Sequence, residues 1–223
     1  MPVYHKLGEF PQKRHTIFQN KNGKHYYEQL FGTEGFVGMS SLLYHTHRPT
    51  QVKEIIKSYS AVPKIAIEKN IKALLLKGFK VVPVSDYLES RKTLLINNDC
   101  AIGLAAPTQS QEGYFYKNAD ADEMLFIHKG KGVLKTFMGN IRFEYGDYLI
   151  IPRGMIYQIH FESSDNRLLF CESYSPYYTP KRYKNSQGQL LEHSPFCERD
   201  YKLPTELETH DSKGDFIIKI KKE

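Results

Sequence analysis

The chain has 223 residues, 40% of them hydrophobic and 25% charged, a balance that excludes a wholly disordered protein. No run approaches the ~20 apolar residues of a membrane span, and the polar stretch from Met1 to Arg14 has no apolar centre of the kind a secretory leader needs. Lys and Arg number 31 against 25 acids, a net +6, which suits an anionic small substrate and is too dispersed to argue for nucleic acid.

The elements expected along the chain begin weakly. Residues 1–32 read as loop, with a short helix or turn around Tyr26–Phe31. Residues 36–45 (FVGMSSLLYH) read as a strand between Gly35 and the polar run His47 to Thr50. Residues 50–58 fit a strand or a helical turn. Over 65–78, Ile67, Ile71, Leu74 and Leu75 fall on one helical face, and Gly78 would stop it.

From residue 93 the β signal strengthens. Residues 93–106 predict two strands or one bent strand, and 123–129 (EMLFIHK) another. Residues 133–138 and 141–145 flank Gly139-Asn140, which reads as a tight hairpin turn. Ile141, Phe143 and Tyr145 alternate with Arg142 and Glu144, the pattern of a half-buried strand. Residues 147–151, 156–161 and 167–172 continue the series. Many short strands between Gly, Pro and Asn turns predict a mainly β, jelly-roll fold. After residue 173 the chain becomes irregular and polar, and 215–222 (DFIIKIKK) closes it as a strand with no partner following it.

Residues 123–160 carry a motif. Glu123 precedes Gly130, and after the hairpin comes Gly146-Asp147-Tyr148-Leu149-Ile150-Ile151-Pro152-Arg153-Gly154. Gly146 and Gly154 sit at turns that call for positive φ, and Pro152 stiffens the next strand's entry. This resembles the two-part pattern of the cupin superfamily, whose second part is G-x5-P-x-G. The resemblance implies a cupin-like jelly-roll barrel with an irregular N-terminal region and a few short helices. A metal-binding cupin adds a His-x-His pair before the acid and a third histidine beyond the last glycine. Here Lys117 to Asp122 precede Glu123, and Tyr157 stands at the third position. Lysine, alanine and tyrosine are poor donors beside the imidazoles and carboxylates that iron or zinc takes. Glu123 and Tyr157 therefore mark a degenerate pocket, with no metal-ligating and no catalytic residue assigned. A hard-cation site from Asp120, Asp122 and Glu123 is the alternative.

Several unconnected runs extend the likeness. Phe36 to Thr50, Tyr116 to Gly130, Glu144 to Gly154, Ser194 to Asp200 and Thr209-His210-Asp211 resemble the homogentisate 1,2-dioxygenase family over essentially the whole chain. The resemblance implies Fe(2+)-dependent, extradiol-type cleavage of homogentisate by O2 to maleylacetoacetate, in tyrosine and phenylalanine breakdown, by a homo-oligomer, trimer or hexamer. It also implies that this chain matches only the family's N-terminal part. The iron ligands lie in the C-terminal half, so none is carried over here, and the chain alone is expected to be inactive. The expected division is an N-terminal region, 1–92, packing on the barrel; a degenerate cupin, 93–175; and an irregular connector, 176–223, leading toward a catalytic half absent from this sequence. A stand-alone, metal-free cupin that binds a small aromatic acid or serves assembly is the competing reading.

Other features carry less. His45-Thr46-His47 is the single His-x-His; on a strand both rings would share a face, and a surface or interface role is preferred to a metal one. Cys100, Cys171 and Cys197 form no CxxC pair, which argues against a zinc knuckle or disulfide framework and for a reducing, cytoplasmic setting. Cys171 reads as a buried thiol on a strand, and Cys197 as a loop thiol without a base. The basic clusters near Lys181 and Lys219 read as polar surface rather than a nucleic-acid interface, and no membrane partner is implied.

Overall fold

The computed structural model describes residues 18–32, 34–38, 40–49, 51–67, 70 and 72–222. The described chain divides into two compact units, 18–72 with 210–213, and 73–209 with 214–222. No helix among the described residues is long and apolar enough to cross a membrane.

The smaller unit is built on one hairpin. β1 (Tyr27–Gly32) and β2 (Ser40–His45) pair antiparallel from Tyr27 opposite His45 to Gly32 opposite Ser40. The expected helix or turn at Tyr26–Phe31 is thus a strand. β2 supplies ladder bonds that an isolated turn would lack, and aromatic residues suit the pleat. The segment 51–67 has no regular structure.

Among the described residues of 65–78 the expected helix does not form either; Ile71, on its expected face, lies outside the described residues. The described residues before Gly78 are irregular, and only a 3-10 turn follows, at Gly78–Lys80. The would-be helical face stays in solvent, with Ile67 96% and Leu75 88% exposed. A short amphipathic helix draws its stability from burying that face, and here the chain leaves it unburied.

The larger unit holds ten strands. β3 (Lys92–Ile96), β4 (Cys100–Ala105), β6 (Asp122–Lys129), β9 (Tyr148–Ile151) and β11 (Arg167–Ser173) form one sheet, ordered β3-β4-β11-β6-β9. β5 (Phe115–Asn118), β7 (Gly132–Thr136), β8 (Gly139–Phe143), β10 (Tyr157–Phe161) and β12 (Ile218–Lys221) form the other, ordered β12-β5-β10-β7-β8. The expected mainly β, jelly-roll fold is what forms, as a sandwich of two five-stranded sheets with no ladder joining them among the described residues. Period-2 alternation selects the core. Leu125, Ile127, Leu168 and Phe170 from the first sheet and Leu134, Phe143, Tyr157 and Ile159 from the second are all buried.

Three details differ from the expected pattern. The β7–β8 turn falls at Phe137-Met138, since Thr136 pairs with Gly139; the Thr136 hydroxyl accepts from the Met138 N–H at 3.0 Å and fixes that turn. Tyr145 lies beyond the end of β8 and is exposed. The last strand, expected to lack a partner, finds one upstream: β12 runs parallel to β5, with Ile218 beside Phe115 and Lys221 beside Asn118. Gly146 and Gly154 have φ of +92° and +80°, the left-handed region their turns require.

Candidate functional site: a buried carboxylate pair

Glu123 on β6 and Glu172 on β11 stand directly opposite one another in the first sheet. Both belong to the inward set of their strands, and each is 1% exposed. Like charges so placed repel, and burial without partners would be prohibitive. The surrounding residues supply the compensation.

Arg91 is the first part of it. The short helix α1 (Tyr87–Ser90) is capped by Asp86, whose side chain accepts the Glu89 N–H, and the chain then turns extended at Arg91 into β3. This delivers the guanidinium between the two acids, with Nη2 at 2.8 Å from Glu172 Oε1 and Nη1 at 3.5 Å from Glu123 Oε1. Its central carbon lies 4.1 Å from the Phe170 ring centroid and 5.5 Å from that of Tyr87, a desolvated cation–π setting.

The second sheet completes the site. Tyr157 on β10 donates its hydroxyl to Glu123 Oε2 at 2.8 Å. Asn118 on β5 donates to Glu172 Oε1 at 2.9 Å. Lys221 on β12 reaches Glu172 Oε2 at 2.6 Å. Tyr116 packs edge-on against Tyr157 with ring centroids 5.4 Å apart. The Tyr87 hydroxyl is fully buried and has no hydrogen-bond partner among the described residues.

These environments separate the two carboxyls. Burial pushes Glu123 up to about 7, against the pull of Arg91 and with the help of Glu172's charge. Glu172 is also desolvated, but Arg91 and Lys221 hold it below the ordinary carboxylate range. Burial and Glu123 push the Tyr157 phenol well up, so it stays a neutral donor. The arrangement is a satisfied ion-and-hydrogen-bond network. As a metal centre its donor set does not fit: both glutamates are engaged by cations or a phenol, and a guanidinium stands between them. No group of three or more His, Cys, Asp or Glu among the described residues is placed to hold a metal ion.

The structure brings the sequence-expected pair Glu123 and Tyr157 together. It separates Asp122 from Glu123, as neighbours on a strand must be. Asp122 accepts from the Arg153 backbone and Nε and from the Tyr177 N–H, so it pins the P-x-G turn and the chain beyond β11. Asp120, Asp122 and Glu123 therefore do not converge as a hard-cation site. His45 contacts Gln29 at 2.8 Å and His47 contacts Asp211 at 2.6 Å; β2 ends at His45, so strand alternation does not join the two rings. Cys171 is half-buried rather than buried, and Cys197 is buried.

Sequence reasoning missed Arg91, Glu172, Asn118, Lys221 and Tyr87. Glu172 had a signal: it shares the apolar face of Leu168 and Phe170 on β11, where an acid needs a partner.

A second concavity lies on the outer face of the first sheet. This cleft of about 510 Å³ is lined by Leu75, Leu76, Phe79, Leu104, Phe126 and His128 among others. Phe79 and His128 meet edge-on at 4.9 Å between ring centroids.

Comparison with known proteins gives the kinship. The chain is 37% identical over 221 residues to the Saccharolobus solfataricus protein named "Putative dioxygenase SSO1533", covering 99% of this chain and 56% of that protein. It thus spans about half the length of this curated relative. Solved structures with likeness include a conserved Streptococcus pyogenes protein of unknown function, SPY1581 (18% identity, TM-score 0.37, covering 53% of this chain and all 100% of that one). KdgF from Halomonas sp. matches at 14% identity and TM-score 0.35, over 38% of this chain and 77% of its own. A cupin-2 domain protein from Shewanella frigidimarina matches at 19% and 0.33, over 38% and 79%. The family described as homogentisate 1,2-dioxygenase N-terminal matches residues 46–206, and the chain belongs to that family.

Proposed function

We propose that this chain is the scaffold-forming N-terminal part of an iron-dependent dioxygenase that opens the ring of homogentisate with O2 to give maleylacetoacetate. The observation that carries the reading is the family match over 46–206. The buried network is consistent with it: Glu123, the pattern's acid, is bonded to Tyr157 and Arg91 and so serves packing rather than metal ligation. Ferrous iron, held by residues outside this stretch, would supply the O2 chemistry; the described residues do not fit it. Their part is to hold the two sheets in register and present the outer surfaces to the rest of the enzyme. Purified chain mixed with Fe2+, homogentisate and O2 gives no product absorbance; robust turnover would overturn the assignment of scaffold.

Self-association belongs to the same proposal. Ile55, Ile56, Ile65 and Ile67 are all more than two-thirds exposed on irregular chain, and apolar surface of this kind marks an interface. We place it in a homo-oligomer, trimeric or hexameric.

A second reading has its own observation, the apolar cleft beside Phe126 and His128. An open apolar cleft with aromatic residues in its wall could seat a small aromatic acid, which would make the chain a binding module in its own right. Calorimetric titration with homogentisate separates the two: saturable heat from this chain alone favours the module, and silence favours the dependent scaffold.

A further inference from the structure

Glu123 and Tyr157 occupy positions that in the metal-binding form of this sequence pattern carry an acid and a histidine. The structure fills the space between Glu123 and Glu172 with a side chain from elsewhere. We propose that Arg91 is the resident cation of this interior: its guanidinium takes the place of a metal ion, bridges the two carboxylates, and closes the site to divalent ions. The inference is independent of which substrate the full-length enzyme cleaves.

Four observations support it. The two acids face each other on adjacent strands, so a cation between them offsets their repulsion whenever both are ionised. Arg91 contacts both, with one nitrogen to each carboxylate. Phe170 and Tyr87 flank the guanidinium with aromatic faces, which suit a planar, weakly hydrated cation far better than a divalent ion that keeps its waters. The remaining carboxylate oxygens are taken by Tyr157 on Glu123 and by Lys221 on Glu172. A metal ion entering here would have to displace a tethered guanidinium and a lysine.

Arg91 also comes from a distinctive place. It is the residue where α1 ends and β3 begins, at the edge of the sheet, not on β6 or β11 themselves. The cation is thus delivered by the chain entering the sandwich, and the interior is complete once that entry is docked.

The test uses the whole chain and its Arg91→Ala variant, followed by thermal unfolding with and without low-millimolar guanidinium chloride, and with Mn2+ or Zn2+ alone. Removing one partner of a buried ion cluster is expected to lower the melting temperature by about 10 °C. Free guanidinium should raise the melting temperature of the variant while leaving that of the native chain unchanged or slightly lower. The native chain should retain no stoichiometric Mn2+ or Zn2+ after desalting. Equal response of both proteins to guanidinium, or stoichiometric metal on the native chain, overturns the proposal. Because Arg91→Ala can fail to fold, Arg91→Met and Arg91→Met/Glu123→Gln are compared as well. The double variant removes one charge of each sign and should melt higher than Arg91→Met alone; a double variant that melts no higher, or is equally unfolded, also overturns it.

Discussion

The Tyr157 hydroxyl and the Glu123 carboxylate come from opposite sheets and meet at 2.8 Å, both buried. This bond is a rivet across the sandwich, since β10 and β6 share no ladder. Tyr157→Phe keeps the ring and its edge-on packing with Tyr116 but leaves a buried acceptor unpaired. The expected cost is about 1–3 kcal/mol, measured by urea titration at constant slope. The same change removes a bond that favours ionised Glu123, so the carboxyl should titrate higher. A Tyr157→Phe protein as stable as the native one would mean that the phenol is incidental.

Stability should fall as pH rises toward the alkaline side of neutral. Glu123 is lifted from an ordinary 4.5 to about 7, so the folded state holds this proton more tightly than the unfolded one. Its favourable contribution is complete below about 4.5 and is lost as pH climbs through 7. From that interval the loss is about 3 kcal/mol. Glu172 works in the opposite sense: its carboxyl is held below the ordinary range, so its contribution is present above 4.5 and lost as acid protonates it. Chemical denaturation from pH 4 to 8.5 should show greatest stability near pH 5. Glu123→Gln should flatten the alkaline limb and leave the acid limb in place.

The sequence made legible what is local. The strands at β4, β6, β10 and β11 and the positive-φ turns at Gly146 and Gly154 follow from residue type alone. Glu123 and Tyr157, on opposite sheets, were legible together because a spaced motif places them. Arg91 was not, because its role depends on a chain entry from another part of the sandwich, and its partners are the distant Glu123 and Glu172 rather than the nearby acids Asp86 and Glu89. β1 was misread since its ladder partner lies across a turn, and 65–78 because a helical spacing of aliphatics has value only against a surface that buries it.

Lys221 ties β12 to the interior. Its Nζ lies 2.6 Å from Glu172, while Lys219, two residues before it on the same edge strand, sits 3.8 Å over the Tyr114 ring. Lys221→Met preserves the aliphatic stem and leaves Glu172 with Arg91 and Asn118. Stability should drop by about 1–3 kcal/mol, and the acid limb of the pH profile should move to higher pH as Glu172 loses a cation. Amide exchange should quicken along β12 and its parallel neighbour β5 before the β4–β11–β6 core responds.

Tyr87 offers the opposite case. Its hydroxyl is buried and unpartnered among the described residues, and burial together with the nearby glutamates drives its phenol well up despite Arg91. Deleting a buried polar atom that makes no bond relieves a desolvation cost. Tyr87→Phe should therefore be neutral or stabilising by about 1 kcal/mol, in contrast to the loss at Tyr157. A clear loss of stability at Tyr87→Phe would point to a water bridging that hydroxyl into the carboxylate network.

The exposed aliphatics of the irregular segment make a claim about assembly. Ile55, Ile56 and Ile67 are exposed at 80%, 75% and 96%, and nothing within the described chain covers them. Light scattering of the purified chain should report an oligomer rather than a mass near 25.9 kDa. Replacing the three isoleucines with serine should lower the mass toward a single chain. Because these side chains lie outside the sandwich core, the near-ultraviolet signal of its buried tyrosines should be kept. A native chain that scatters as a monomer at every concentration would remove the basis for placing an interface there.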